Sequence, residues 1–346
     1  MIPLSVIDLR DAEAHVAEVL RSGRVSRGPV LETFEREFAA VAGTRYAIAV
    51  QGGTAALVTA LRALGLRAGD EVLTSPLLPV ATLDAIVEAG ATARFADIAR
   101  DDFALDPDAA AGAITTATRV LLPAHLFGQT GDLAKHAAIA AESGLRLVED
   151  AQQAAGATCA GAPAGSFGLG CFSTPEAGVV TTDDAELAGR LRDEARHVVL
   201  PELHAALALA RLERLSATTA ARRYHAQRLT EGLRGTPGLD VPRALPDREH
   251  GWQQYSVLIG PHAMLSRDEL ADALTERGVG NGVCHPRLVF DHDRYARHPL
   301  VPPVSPRDFP SASRVSEEML TLPVHPALTE TDLDTIIDVV REELGA

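Results

Sequence analysis

Lysine is almost missing from this chain: one residue, Lys135, among 346. Any chemistry that needs a side-chain primary amine must use it. The stretch "GDLAKHAAIAAESG" reads as a helix whose buried stripe is marked by Leu133, Ala137 and Ala140, and position 135 falls off that stripe. The expected state of Lys135 is a solvated surface amine. Cysteine is nearly as scarce. Cys159, Cys171 and Cys284 have no metal-ligand spacing, so neither a disulfide nor a bound metal is expected. Basic clusters are lacking, and the formal charge of −15 repels phosphate backbones, which excludes nucleic acid as a partner. There is no run of 18 apolar residues and no basic amphipathic stripe, so no membrane role is expected. The start, "MIPLSVIDLRDAEAHVAEVL", carries no leader pattern, and a cytoplasmic protein is expected.

What is present is an ordinary globular composition, 46% apolar, on a chain long enough for two lobes. After helices "DAEAHVAEVLRSG" and "VLETFEREFAAVAG", strand and helix patterns alternate from "YAIAV" to "LRLVED", with Gly and Asp at the switches. That alternation predicts a largely parallel sheet covered by helices, with ligands beyond the carboxyl ends of its strands. Two strands around "TPEAG" follow, the first ending at Ser173 and the second covering Val179 to Thr182. The pattern then changes to long helices, including one read through the whole of "PELHAALALARLERLSATTAARRYHAQRLTEGL". A Pro and Gly-rich segment, "RGTPGLDVPRALPD", marks a boundary, giving a large α/β domain over 1–235 and a small α+β domain over 236–346. In the latter, "WQQYSVLIG" reads as a strand, "VGNGVCHP" as strand-like and "SASRVSEEMLTL" as a helix.

The succession "SGRVSRGPVLETFEREFAA", "GGTAAL", "EAGATARFADI", "PAHLFGQTGDL", "LVEDAQQAAGA", "CFS" and "LPVHPALTETDLD" resembles the DegT/StrS-type sugar aminotransferases almost end to end. The resemblance implies the aspartate-aminotransferase-like fold type I, pyridoxal phosphate as the family's cofactor, a homodimer with shared sites, and nucleotide-linked keto-sugars as the usual substrates. Gly53, Thr54 and Ala55 open a helix whose amides, with the Thr54 hydroxyl, suit a phosphate, although a plain helix cap reads the same way. Asp150 ends a buried strand and resembles the carboxylate that pairs with the pyridinium nitrogen. A water-filled crevice or a local cap would satisfy it as well. Gln153 resembles the glutamine beside the cofactor ring, and Ser173 the serine at its phosphate.

Against that family the chain departs in three places. The segment after "CFS", where the family carries its Schiff-base lysine and a glycine-rich turn, is cut to "TPEAG", and Lys135 lies elsewhere. Pro79, in "TSPLLPVAT", stands where an aromatic stacks on the ring. Only "VVL" remains where a loop reaches the neighbouring subunit. Ordinary transamination is therefore not expected, because the lysine serves both as imine and as proton carrier.

Two classes of function remain open. One is a repurposed, lysine-less enzyme in sugar or secondary-metabolite biosynthesis. It would act on a small-molecule substrate without cofactor, or with pyridoxamine or pyridoxal phosphate held non-covalently. Its acid and base candidates are Glu176, His125, Asp150, His204 and His285. Three have an ordinary alternative: a turn residue facing solvent for Glu176, structural packing for His125 and His285. The other class is non-catalytic, either a partner subunit in a heteromer with an active aminotransferase or a binding protein for a small molecule or sugar nucleotide.

Overall fold

The computed structural model describes residues 1–346, the side chain of Arg10 excepted. Short apolar runs bounded by glycine and polar turns make strands β1 (Tyr46–Val50), β2 (Glu71–Thr74), β3 (Thr92–Phe95), β4 (Thr118–Leu121) and β5 (Arg146–Asp150). Two small strands, β6 (Thr158–Cys159) and β7 (Ala162–Pro163), precede β8 (Leu169–Ser173) and β9 (Gly178–Thr182). The helices before and between them are α1 (Glu13–Ser22), α2 (Pro29–Val41), α3 (Gly53–Ala63), α4 (Val80–Glu88), α5 (Pro107–Ala113) and α6 (Leu133–Glu142). Aspartates punctuate the joints: Asp106 caps α5 and Asp132 caps α6 through their carboxylates.

Seven strands form one sheet in the order β1-β9-β8-β5-β4-β2-β3. Only β9 runs against the rest, pairing antiparallel with both β1 and β8. The remainder is parallel, as the alternation predicts. Burial on both faces follows, so β9 is buried throughout and α3 presents Leu57 and Leu61, both fully buried, to the sheet. The sheet, its covering helices and the smaller sheet below are the expected α/β architecture.

Beyond β9 come α7 (Ala185–Glu194), α8 (Glu202–Glu213) and α9 (Leu215–Leu233). The single long helix expected here is two. The chain turns at Arg214, whose guanidinium reaches Asp8 at 3.2 Å and Asp11 at 2.9 Å in the N-terminal segment. A tertiary ion pair thus fixes a break that helical periodicity does not foretell.

A second sheet, order β10-β12-β13, is built from β10 (Leu239–Asp240), β12 (Tyr255–Ile259) and β13 (Met319–Leu322), while β11 (Arg248–Glu249) pairs with β6. Helices α10 (Arg267–Glu276), α11 (Pro310–Glu318) and α12 (Glu330–Glu343) complete the chain. Tyr255, Leu274 and Ile336, all fully buried, centre the small core, which Leu229 and Leu233 of α9 and Ile2 also enter. Two expectations are corrected here. The helix read through "SASRVSEEMLTL" stops at Glu318, and Met319 begins a strand because its partners on β12 wait in register. The segment "VGNGVCHP" makes only isolated bridges, Ile2 to Val279 and Gly282 to Thr321, because the Asn281 amide is drawn to the Ala271 and Val279 carbonyls.

Candidate functional site

The site is built where β5, β8 and the start of α3 meet. Asp150 closes β5 and is 3% exposed. Its Oδ2 accepts the Thr82 hydroxyl of α4 at 2.6 Å and its Oδ1 the Gln152 backbone N–H at 3.3 Å. No cation stands against it among the described residues. Burial pushes the carboxyl above its ordinary range, and the Thr82 and Gln152 bonds offset this only in part.

Gly52 takes φ of 99° so that β1 can turn into α3, and no side chain caps the helix that follows. Gly53, Thr54 and Ala55 thus present a helix N-terminus, as expected. Over it lies a residue that sequence reading passed by. A Cβ added to Gly53 would sit 2.1 Å from Gln152 Oε1 and 2.7 Å from Ser173 Oγ, so the Gln152 amide folds into the cradle itself. Its Nε2 is buried and has no hydrogen-bond partner. The paired glutamines in "EDAQQAAGA" were the available signal. Ser173 stands at the cradle, its hydroxyl donating to the Thr174 carbonyl at 3.4 Å.

Gln153 holds a neighbouring loop. Its Oε1 accepts the Phe127 N–H at 2.8 Å and braces a backbone held at φ of 61°. Pro79 stands just before α4, whose first turn brings Thr82 to Asp150.

The five acid and base candidates do not converge. His125 pairs with Glu149 at 3.2 Å, both side chains fully buried, and its Nδ1 accepts the Gly131 N–H. Neighbours on a strand face opposite ways, so Glu149 points to the side of the sheet away from Asp150 and takes His125 with it. Glu149 also accepts the N–H groups of Gly165, Phe167 and Gly168, which leaves that pair a structural brace. Glu176 is no solvent-facing turn residue: its carboxylate is 6% exposed and meets Arg211 of α8 in a bidentate pair at 2.8 and 3.0 Å. The loop closed by that pair is four residues long, with Ser173 opposite Gly178. Gly178 packs so closely that a Cβ there would lie 2.0 Å from the Gly52 carbonyl. No sequence signal links Glu176 to Arg211. His204 is exposed on α8. His285 is buried edge-to-face on Phe127, its pKa pushed down to about 4 by burial.

Lys135 is where the helical stripe puts it. Its side chain on α6 is 68% exposed and lies 3.0 Å from Asp132. Cys159, Cys171 and Cys284 are free thiols. Among the described residues no helix is long and apolar enough to cross a membrane.

The DegT/DnrJ/EryC1/StrS aminotransferase family model matches residues 8–341. The chain belongs to that family. It is 34% identical to the spore coat polysaccharide biosynthesis protein SpsC of Bacillus subtilis (strain 168), with 94% of this chain and 92% of that protein covered. It is 35% identical to the dTDP-3-amino-3,4,6-trideoxy-alpha-D-glucose transaminase of Streptomyces venezuelae, covering 96% and 92%. The structure of S. venezuelae DesV in complex with a ketimine intermediate superposes with a TM-score of 0.92 at 34% identity, covering both chains fully. A 3-amino-5-hydroxybenzoic acid synthase gives 0.91 at 25% identity, over 100% of this chain and 99% of that one. Membership in the DegT/DnrJ/EryC1/StrS family implies pyridoxal phosphate, and the residues present do not fit that group. The sole lysine is on the outer surface, and the Gln152 amide occupies the cradle between Asp150 and Ser173.

Proposed function

We propose that this chain is a binding protein on the sugar aminotransferase fold, serving sugar or secondary-metabolite biosynthesis without transaminating. The observation that carries the reading is the position of its one lysine, an exposed residue ion-paired with Asp132, while Asp150 faces only Thr82 and Gln152. No side-chain amine is available in the crevice to form an imine or to carry a proton. A cofactor-independent enzyme is the weaker reading, because Glu176 is held by Arg211, His125 by Glu149, and His204 lies outside. Retention of Asp150 and Ser173 in a crevice that Gln152 fills fits a scaffold kept for binding.

The test is an absorbance spectrum from about 300 to 500 nm after pyridoxal phosphate or pyridoxamine phosphate has been added and free cofactor removed by gel filtration, the range spanning the cofactor's imine and amine forms. The expected result is no retained band and no adduct fixed by borohydride. A borohydride-fixed adduct accompanied by amino transfer to a nucleotide-linked keto-sugar overturns the proposal.

A second outcome follows from the filled cradle. Gln152→Ala is expected to retain pyridoxamine phosphate at least tenfold more tightly than the parent, because it uncovers the free amides of α3 while keeping the backbone N–H that bonds Asp150. Equal, weak retention by both proteins in a fluorescence titration would show that Gln152 is not the obstacle.

A further inference from the structure

A cavity of about 640 Å³ lies away from the crevice just described. None of Gly53, Asp150, Gln152 or Ser173 lines it. Its walls come from the loops after β3 and β4, the end of α9, the β10 to β12 region and α11. The volume is within the range that takes a small organic ligand.

Three features of the wall bear on what it would bind. The first is apolar. Phe103 and Phe127 meet edge-to-face at 5.9 Å, and Leu126, Val241, Leu258 and Val315 extend the surface they form. The second is an unused donor. His250 is 5% exposed, and its Nδ1 accepts the Trp252 N–H at 2.8 Å, so the ring proton sits on Nε2, for which no protein acceptor is present. Burial pushes its pKa down to about 3, so the ring stays a neutral donor. The third is charge. Arg100, Arg234, Arg243 and Arg314 line the cavity against Asp101, Asp102 and Asp240. Asp101 is held by Arg243 and Asp102 by Arg248, while Arg314 reaches Glu318. Arg100 and Arg234 have no carboxylate partner among the described residues, and Asp240 is exposed at the edge.

Backbone strain gathers at the same place. Of four non-glycine residues with positive φ, Phe103 at 60° and Phe127 at 61° line the cavity, and Trp252 at 47° stands between His250 and Gln254, which also line it. The surrounding bonds hold these conformations: the Phe127 carbonyl accepts the Gln254 N–H at 3.0 Å and the Gly128 carbonyl the Gly251 N–H at 2.7 Å. Such outliers persist where the fold over-determines them, and they concentrate at ligand sites.

We infer that this cavity binds a planar, apolar-bodied anion, an aryl carboxylate, sulfonate or phosphate ester, with its ring against Phe103 and Phe127 and its charge toward Arg100 and Arg234. The inference rests on the binding reading above and names its site. Cationic groups without partners give the anion preference in a chain that is otherwise strongly acidic, and the apolar wall supplies the body's affinity.

The experiment is a fluorescence titration with 1-anilinonaphthalene-8-sulfonate, with N-phenyl-1-naphthylamine as its neutral counterpart. One saturable site per chain is expected, with the neutral probe at least tenfold weaker. The exposed double replacement Arg100→Ala, Arg234→Ala is expected to weaken the anionic probe at least tenfold while the unfolding midpoint stays unchanged. An unchanged affinity in that variant, equal binding of the neutral probe, or no saturable binding overturns the inference. A borohydride-fixed adduct accompanied by amino transfer would instead overturn the binding reading, so the two failures are distinguishable.

Discussion

Acidification from pH 7 to about pH 4.5 is expected to remove several kcal/mol from the stability of this chain, measured by urea denaturation at the two pH values. The cause is a set of histidines buried without charge. His136 is fully buried, with Nε2 on the Leu105 carbonyl at 2.9 Å, and burial pushes its pKa down to about 4. His285 is pushed to about 4 and His250 to about 3 by the same cause. Burial lowers His225 and His325 as well. The unfolded imidazoles titrate at roughly 6.5, so below that pH the unfolded state binds protons that the native state refuses. Stability therefore falls as pH drops from about 6.5 towards 4, by at most about 1.4 kcal/mol per pH unit for each such group.

Two carboxyls act in the opposite sense. Burial raises Asp150 and Asp102, so in the same window they accept protons more readily in the native state. Two such groups reduce the loss from five imidazoles without reversing it. His136→Gln is expected to flatten the pH dependence. Identical urea midpoints at both pH values would mean that the native state charges these rings.

The second large effect concerns Asp102 and Arg248. Their side chains are 5% and 7% exposed, and the Arg248 guanidinium donates to Asp102 Oδ2 and to the Thr130 carbonyl. The pair ties the loop after β3 to β11. Removing the carboxylate leaves a buried guanidinium whose one remaining carboxylate, Asp247 at 3.6 Å, is solvent-exposed and compensates it weakly. Asp102→Ala is therefore expected to cost about 3–5 kcal/mol in urea denaturation, the range for breaking a buried pair from one side. Adding Arg248→Met is expected to recover part of that loss, because no charge is then stranded. A single replacement that costs under about 1 kcal/mol would place the pair among solvated surface bridges.

The fold was legible because its signals are local. Apolar runs with glycine and aspartate at the switches give the β-α order, and the family resemblance that the sequence carries matches the architecture throughout. The off-stripe position of Lys135 on α6 was equally plain from periodicity. What escaped were features set by distant contacts. Arg214 breaks a continuous helical pattern only because Asp8 and Asp11 wait some two hundred residues earlier. Glu176 read as an acid or base candidate or else a solvent-facing turn residue, yet its environment is decided by Arg211 on another element. Gln153 and His125 took bracing roles because of Phe127 and Glu149, whose orientations depend on how loops return to the sheet. Gln152 had a visible signal, a second glutamine in "DAQQ", but its meaning appears only where its amide meets Gly53 and Ser173.

The place of β9 in the large sheet has an evolutionary consequence. It lies between β8 and β1, and a loop of four residues joins it to β8 across the Ser173 and Gly178 pair. A connection between adjacent antiparallel strands can be as short as two residues or bulge outward into solvent while the strands stay neighbours, whereas a parallel crossover must keep the length that carries the chain back over the sheet. The hairpin is thus an editable joint in an otherwise rigid frame. Natural variation can rewrite its contents while the architecture survives, leaving a lineage free to exchange one trade for another.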